Sequence, residues 1–442
     1  MSLPALSLRR NFSWTLAGNI IYSACQWGIF VLLAKLLSPE DVGKYALGLA
    51  ISGPVIGFAN LQLRSVLVTD AKHEYAYREY MALRLVTMVI AILVIGGIAF
   101  ASDNRSSAAL VVLLVGLVKS AECVSDLIHG LIQKYERMDR IAKALAIKGT
   151  LSLAFLGVAL LATHRLVVAV AALSAAYLLV LLTYEARVGR TILESGLEGG
   201  VGSHASALSA LRPQWRTGRA FALVRLSLPL GFVMMLTTLN VGIPQYFIRY
   251  FSGSADLGIY SALSQFIGMG RLVATALALA AVPRMASYYA RGDVGAYSRL
   301  LSKLVMLSAL VGLGGIAVAA VFGRHIINLF YREEYAAYNG LFIWIMAVGG
   351  VGYIASFLGY GMNSARQFRA QVPLFAVVAA VTAAGCWVLV PRFGLYGATY
   401  AMLIALVVQV LLSLVVIRRA RSGLREARVE LAALESAEQQ VS

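Results

Sequence analysis

Between Ser107 and Gln133, five residues able to carry charge or hydrogen-bond strongly recur at helical spacing: Lys119, Glu122, Asp126, His129 and Gln133. At about 100° per residue they fall within an arc of roughly 80°, a single polar stripe on a rod that carries no charge from Ala108 to Val118. A charge near a bilayer centre costs at least ~2.5–3.5 kcal/mol on insertion scales, so such groups face a bundle interior or a water-filled cavity. Glu122, Asp126 and His129 are the types that load and release a proton or a sodium ion, since burial and neighbouring charges shift such groups toward neutrality. Asp126 and His129 also lie close enough to the helix end to be interfacial residues, which for His129 is the better reading. Lys119 falls near the middle of its span, and so does Arg271 in Gly268-Met269-Gly270-Arg271. Two readings stand for each. Either it lines a cavity for an anionic group such as a diphosphate, or it pairs with a buried acid, as Lys119 would with Glu122 one turn on. Arg64, at the end of the second apolar stretch, meets a lipid phosphate or anchors the helix end; Arg249 and Lys35 snorkel from the opposite ends of theirs.

These residues need an apolar frame, and the composition supplies one. Of the 442 residues 60% are apolar and 13% charged, and mean hydropathy is +0.78. That is an integral, all-α membrane protein. Stretches of about 20 apolar residues begin near 12, 39, 80, 107, 142, 166, 226, 256, 301, 339, 370 and 394, which makes twelve spans. An even number leaves both termini on one side. The three cysteines lie inside apolar stretches without metal-ligand spacing and read as packing residues.

The formal charge of +17 has a topological origin. Of the 38 lysines and arginines, 28 flank the spans on the side of the N-terminus and only six, Arg105, Arg165, Arg249, Arg324, Arg332 and Arg392, on the other. The positive-inside rule therefore predicts cytoplasmic termini and makes nucleic acid an unneeded partner. An internal repeat appears at an offset of 215: Asp41-x-Gly43-x-Tyr45 opens one span and Asp256-x-Gly258-x-Tyr260 another. It implies two six-span lobes of like orientation, residues 1–186 and 221–417, joined by a polar linker at 187–220 and followed by a tail at 418–442. Pro54, Pro229 and Pro244 are expected to interrupt their helices.

Soluble-type catalytic motifs are missing. Gly43-Lys44-Tyr45 fails as a phosphate loop at its last position, and no H-E-x-x-H, G-x-S-x-G or Cys-x-x-Cys occurs. No catalytic residue, metal or cofactor is expected.

Five segments carry a resemblance: Leu37-Ser38-Pro39-Glu40-Asp41-Val42-Gly43-Lys44-Tyr45-Ala46-Leu47, residues 240–248 (NVGIPQYFI), Asp256-Leu257-Gly258-Ile259-Tyr260, residues 328–336 (NLFYREEYA) and Gly394-Leu395-Tyr396-Gly397-Ala398. In order and spacing they resemble the Wzx-type polysaccharide transporters. One departure is that Leu329-Phe330-Tyr331 stands where that pattern has Leu-Phe-Gly. The resemblance implies the multidrug/oligosaccharidyl-lipid/polysaccharide exporter superfamily, with twelve helices in two lobes around a central cavity. It implies flipping of an undecaprenyl-diphosphate-linked oligosaccharide from the cytoplasmic to the periplasmic leaflet of a bacterial inner membrane by alternating access. H+ or Na+ is the expected coupling ion; membrane lipids, a polysaccharide polymerase and a chain-length regulator are the expected partners. The family offers no short catalytic motif to carry over. A drug or metabolite antiporter of the same superfamily is the alternative. A membrane-embedded polymerase fits less well, because the longest outer loop, near 324–338, is too short for a catalytic domain.

Overall fold

The computed structural model describes residues 7–70, 74–102, 107–197, 217–365 and 367–441. Arg105 and the greater part of the expected linker fall outside these. Every regular element among the described residues is helical: α1 (Leu8–Leu36), α2 (Pro39–Asn60), α3 (Leu63–Thr69), α4 (Tyr77–Ser102), α5 (Ser107–Lys134), α6 (Met138–Thr163), α7 (Leu166–Val180), a π-turn (Leu181–Glu185), α8 (Ala186–Leu197), α9 (Thr217–Phe251), α10 (Ser254–Ser264), α11 (Ile267–Ala290), α12 (Val294–Phe330), α13 (Glu333–Ala336), α14 (Asn339–Ser364) and α15 (Phe368–Val441). Ten helices among the described residues are long and apolar enough to cross a bilayer. The last of them is two helices joined at Gly394, whose φ of 55° and ψ of −129° leave the helical region. The pair α10 and α11 supplies one more pass, so the twelve spans appear in the expected order.

Local sequence explains the ends. Ser38 caps α2 by accepting the Asp41 amide N–H at 3.3 Å, Pro39 occupies the first turn, and Glu40 and Asp41 face the positive end of the helix dipole. Leu61 and Gln62 then take left-handed φ values of 50° and 49° and break off α3, which carries Arg64. The prolines do less than expected. α2 continues through Pro54 and α9 through Pro229 and Pro244. In lipid a broken helix exposes further backbone groups, whereas one proline removes a single donor, so continuing costs less. Tyr331, the departure from the family pattern, has φ −122°, a conformation that any residue adopts. Its ring is buried and its hydroxyl donates to the Ala262 carbonyl at 2.8 Å.

The chain divides into two compact units, residues 1–249 with 253–259, and 250–252 with 260–442. In the first, α1 and α6 approach through small residues: a Cβ at Gly18 would overlap the Ala142 backbone, and one at Gly149 would press on Cys25 and Tyr22. α9 lies along α2, where Gly57 admits Thr238, Gly231 admits the Phe58 carbonyl, and the Tyr246 hydroxyl donates to the Ala50 carbonyl. The repeated glycines meet here as well. A Cβ at Gly43 would collide with the Ser254 carbonyl and one at Gly258 with the Pro39 carbonyl, so the first turns of α2 and α10 cross backbone against backbone. In the second unit, α12 and α14 touch at Gly312 and Gly350. Tyr297 and Tyr353 donate to the carbonyls of Gly361 and Ile267.

Candidate functional site

The polar stripe of α5 lies among α1, α3, α6 and α7 of the first unit, and each of its acids has a cationic partner. Lys119 Nζ lies 2.8 Å from Glu122 Oε2, and both side chains keep about a third of their surface accessible. Arg64 reaches from α3 to Asp126 at 2.8 Å and donates through Nε and Nη2 to Gln133 Oε1 at 3.1 and 2.8 Å. Gly130 makes room for it, since a Cβ there would press on the Arg64 stem. Arg64, expected as an anchor or lipid contact, is thus a half-buried ion-pair partner of Asp126.

His129 differs from its interfacial reading. It is 5% exposed, and its Nε2 lies 3.0 Å from Glu185 Oε1. The same oxygen is 2.7 Å from Lys148 Nζ, and the Ser125 hydroxyl donates to Glu185 Oε2 at 2.5 Å while accepting from Lys148 at 2.7 Å. Lys148 and Glu185 are 2% and 0% exposed. A buried pair of this kind persists only when its remaining hydrogen-bonding capacity is filled, which Ser125 and His129 accomplish. The π-turn matters here. Its wider winding adds a residue to the turn and rotates the downstream chain by roughly 100°, which aims Glu185 inward at α5.

A second layer joins the two pairs. Tyr22 of α1 donates to Glu122 Oε1 at 2.6 Å, Tyr22 and Tyr177 share a 2.9 Å hydroxyl contact, and Gln26 donates to both hydroxyls at 2.7 Å. Lys148 Nζ lies 5.7 Å from the centre of the Tyr177 ring. A cavity of about 180 Å³ opens beside this network, lined among others by Asn19, Arg64, Asp126, Ser125, His129 and Lys148.

The remaining candidates lie elsewhere. Arg249 ends α9 partly exposed, and Arg271 is exposed on α11 of the second unit, next to Gly270, which packs against the Tyr353 hydroxyl. Sequence reading missed Lys148 and Glu185, which count among charges flanking spans, and the tyrosine layer, whose members look like ordinary apolar-helix residues. It also missed Arg84, 0% exposed on α4, whose Nη2 donates to Asn60 Oδ1 at 3.4 Å while Nε and Nη1 have no hydrogen-bond partner. The one usable signal was spacing: Arg84 follows Tyr77 and Tyr80 on one face of a span.

Residues 8–289 match the family described as polysaccharide biosynthesis protein, and residues 229–388 match the MatE family. The capsular polysaccharide biosynthesis protein CapF of Staphylococcus aureus is 24% identical over 399 residues, 90% of this chain and 96% of CapF. Among solved structures, an inward-facing multidrug resistance MATE family transporter of the MOP superfamily aligns with TM-score 0.69 at 13% identity, over 92% of this chain and 96% of its own. The lipid II flippase MurJ in an inward closed conformation aligns with TM-score 0.68 at 10% identity, over 92% and 88%. The fold is thus that of the multidrug and lipid-flipping exporters. With its family match running from the first helix through α11, the chain belongs to the polysaccharide biosynthesis protein family, as a multi-pass membrane transporter.

Proposed function

We propose that the chain flips an undecaprenyl-diphosphate-linked oligosaccharide from the cytoplasmic to the periplasmic leaflet of a bacterial inner membrane by alternating access, driven by an ion gradient. The observation that carries this reading is the ion-paired row along α5 beside a polar cavity, in a chain whose family serves polysaccharide biosynthesis. Such a row has no use in a passive apolar bundle, because its insertion cost is met only where the charges pair and water reaches them. The polyprenyl tail stays in lipid while the sugar-diphosphate headgroup crosses. Lys119 and Arg271, with Arg64 and Arg249, are the cations offered to the diphosphate; Glu122, Asp126 and His129 are the groups offered to the coupling ion. The 215-residue repeat supports two six-span lobes, 1–186 and 221–417.

The test is flipping of a fluorescent undecaprenyl-diphosphate oligosaccharide by the full chain in vesicles. Lys119→Ala and Arg271→Ala are each expected to slow it about tenfold, the loss of ~1.4 kcal/mol, at unchanged protein level. Wild-type rates in both variants would remove these two residues from the site. The MatE match and the MATE-like fold favour one rival, a drug or metabolite antiporter. Efflux of cationic dyes by vesicles that flip no lipid-linked sugar would select it.

A further inference from the structure

We propose that the coupling ion is a proton, that its seat is His129 against Glu185 and Lys148, and that Tyr177 and Tyr22 carry its effect to the Lys119–Glu122 pair. The inference rests on the flippase reading only for what the proton drives; the seat itself is a property of the first unit.

The shell of Glu185 selects a proton. Its Oε1 already meets His129 Nε2 at 3.0 Å and Lys148 Nζ at 2.7 Å, and its Oε2 takes the Ser125 hydroxyl at 2.5 Å. A hard metal cation needs several oxygen ligands, whereas here the neighbours are two nitrogen groups and one hydroxyl. An ionised carboxylate only accepts, so Nε2 of the neutral imidazole carries the hydrogen and Nδ1 keeps the basic lone pair. A proton added there makes imidazolium, and its loss restores the neutral ring. Histidine is the side chain that ordinarily exchanges near neutral pH. Access exists as well, since His129, Ser125 and Lys148, the three partners of Glu185, line the cavity of about 180 Å³, a space large enough for several waters.

The surrounding charges make the proton consequential. On α5 itself, Asp126 is held by Arg64 of α3, and Glu122 by Lys119. On α6, Lys148 pairs with Glu185, and Asp139 with Arg137 at the helix start. α7 presents Tyr177, α1 presents Tyr22 and Gln26, and Arg187 and Arg190 of α8 are exposed. With His129 neutral the three acids Glu122, Asp126 and Glu185 are balanced by Lys119, Arg64 and Lys148, and a proton on His129 leaves one positive charge in excess among them. Two cations then compete for Glu185. Lys148 has other places to go, the Ser125 oxygen at 2.7 Å and the Tyr177 ring at 5.7 Å. Tyr177 touches Tyr22, and Tyr22 donates to the carboxylate that holds Lys119. Proton arrival at one end thereby alters the hold on a substrate-facing cation at the other.

The full chain is to be reconstituted in vesicles, and flipping of the fluorescent lipid-linked oligosaccharide compared with and without a pH gradient. For wild type this ratio is expected to be several-fold. In His129→Asn, which keeps the Lys148–Glu185 pair and so the fold, the ratio is expected to fall to near one. Tyr177→Phe keeps the ring under Lys148 and removes the hydroxyl; it is expected to lose the ratio too. A substrate-free measurement separates the two proposals: on acidification in detergent, wild type should bind about one proton per chain more than His129→Asn, and Tyr177→Phe as many as wild type. If wild type flips nothing yet the one-proton difference stands, the flippase reading falls and the seat survives. Equal proton uptake by wild type and His129→Asn, or a full gradient response in His129→Asn, overturns the seat. A full response in Tyr177→Phe overturns the relay.

Discussion

Two buried charges of similar exposure should respond to mutation with opposite signs, because only one of them is satisfied. Glu185 accepts from Ser125 and meets His129 and Lys148. Its truncation strands a buried ammonium, and breaking such a pair costs about 3–5 kcal/mol. Glu185→Ala should therefore lower the thermal midpoint in detergent sharply, and Glu185→Gln, which keeps the shape, less. Arg84 has two N–H groups without a hydrogen-bond partner and a 3.4 Å contact to Asn60. Apolar replacement of a poorly compensated buried ion stabilises by roughly 1–4 kcal/mol, so Arg84→Met should raise the midpoint. A drop would mean that Arg84 is paired in the functioning protein. Outside the spans, partial burial pushes the Asp70 carboxyl up. The amide N–H groups of Glu74 and Tyr75 at 3.0 and 3.2 Å, with Lys134 nearby, outweigh it and leave its pKa below the ordinary value. A folded pKa below the unfolded one contributes stability above about pH 4, lost as pH falls through the folded value. Asp70→Asn should flatten the acid limb of stability against pH below about 4 and leave the shape unchanged at neutral pH.

At the scale of elements, the network exists because α1 and α6 come close enough for Tyr22 and Lys148 to approach the same stripe. Gly18 against Ala142 and Gly149 against Cys25 set that distance. Gly18→Leu should push the helices apart and reduce proton uptake and gradient response together, whereas Gly97→Leu, at a position with open space around its Cβ, should change neither. The stripe on α5 was readable in the sequence, since a 3.6-residue period survives any packing arrangement. Its partners were not. Lys148 lies ten residues into α6 and Glu185 at the end of the π-turn, and charges near span ends look the same whether they face cytoplasm or fold inward. The π-turn leaves no compositional mark, so the rotation that aims Glu185 at His129 had to be seen. The prolines misled in the other direction: they predict breaks in α2 and α9, while the chain breaks at Leu61–Gln62 and Gly394. Backbone satisfaction in lipid outweighs local preference there.

For the molecule as a whole, the distribution of its 38 basic residues predicts which side of the membrane the basic loops face. The turn before α6, where Met138 reaches the cavity wall, belongs to the same set of basic loops as the N-terminus, and if that side is cytoplasmic, as the positive-inside rule predicts, a proton seat loaded from it reads cytoplasmic pH. This orientation is testable with little interference, because Cys25, Cys123 and Cys386 are all buried and new surface cysteines will dominate labelling. Tyr135 is 41% exposed in that turn, and Thr163 is exposed at the opposite end of α6. In intact cells an impermeant maleimide should modify Thr163→Cys and leave Tyr135→Cys unlabelled until the membrane is opened. The reverse pattern would place the seat on the periplasmic side. The charge asymmetry would then need another cause, and a cytoplasmic loading step would have no entrance.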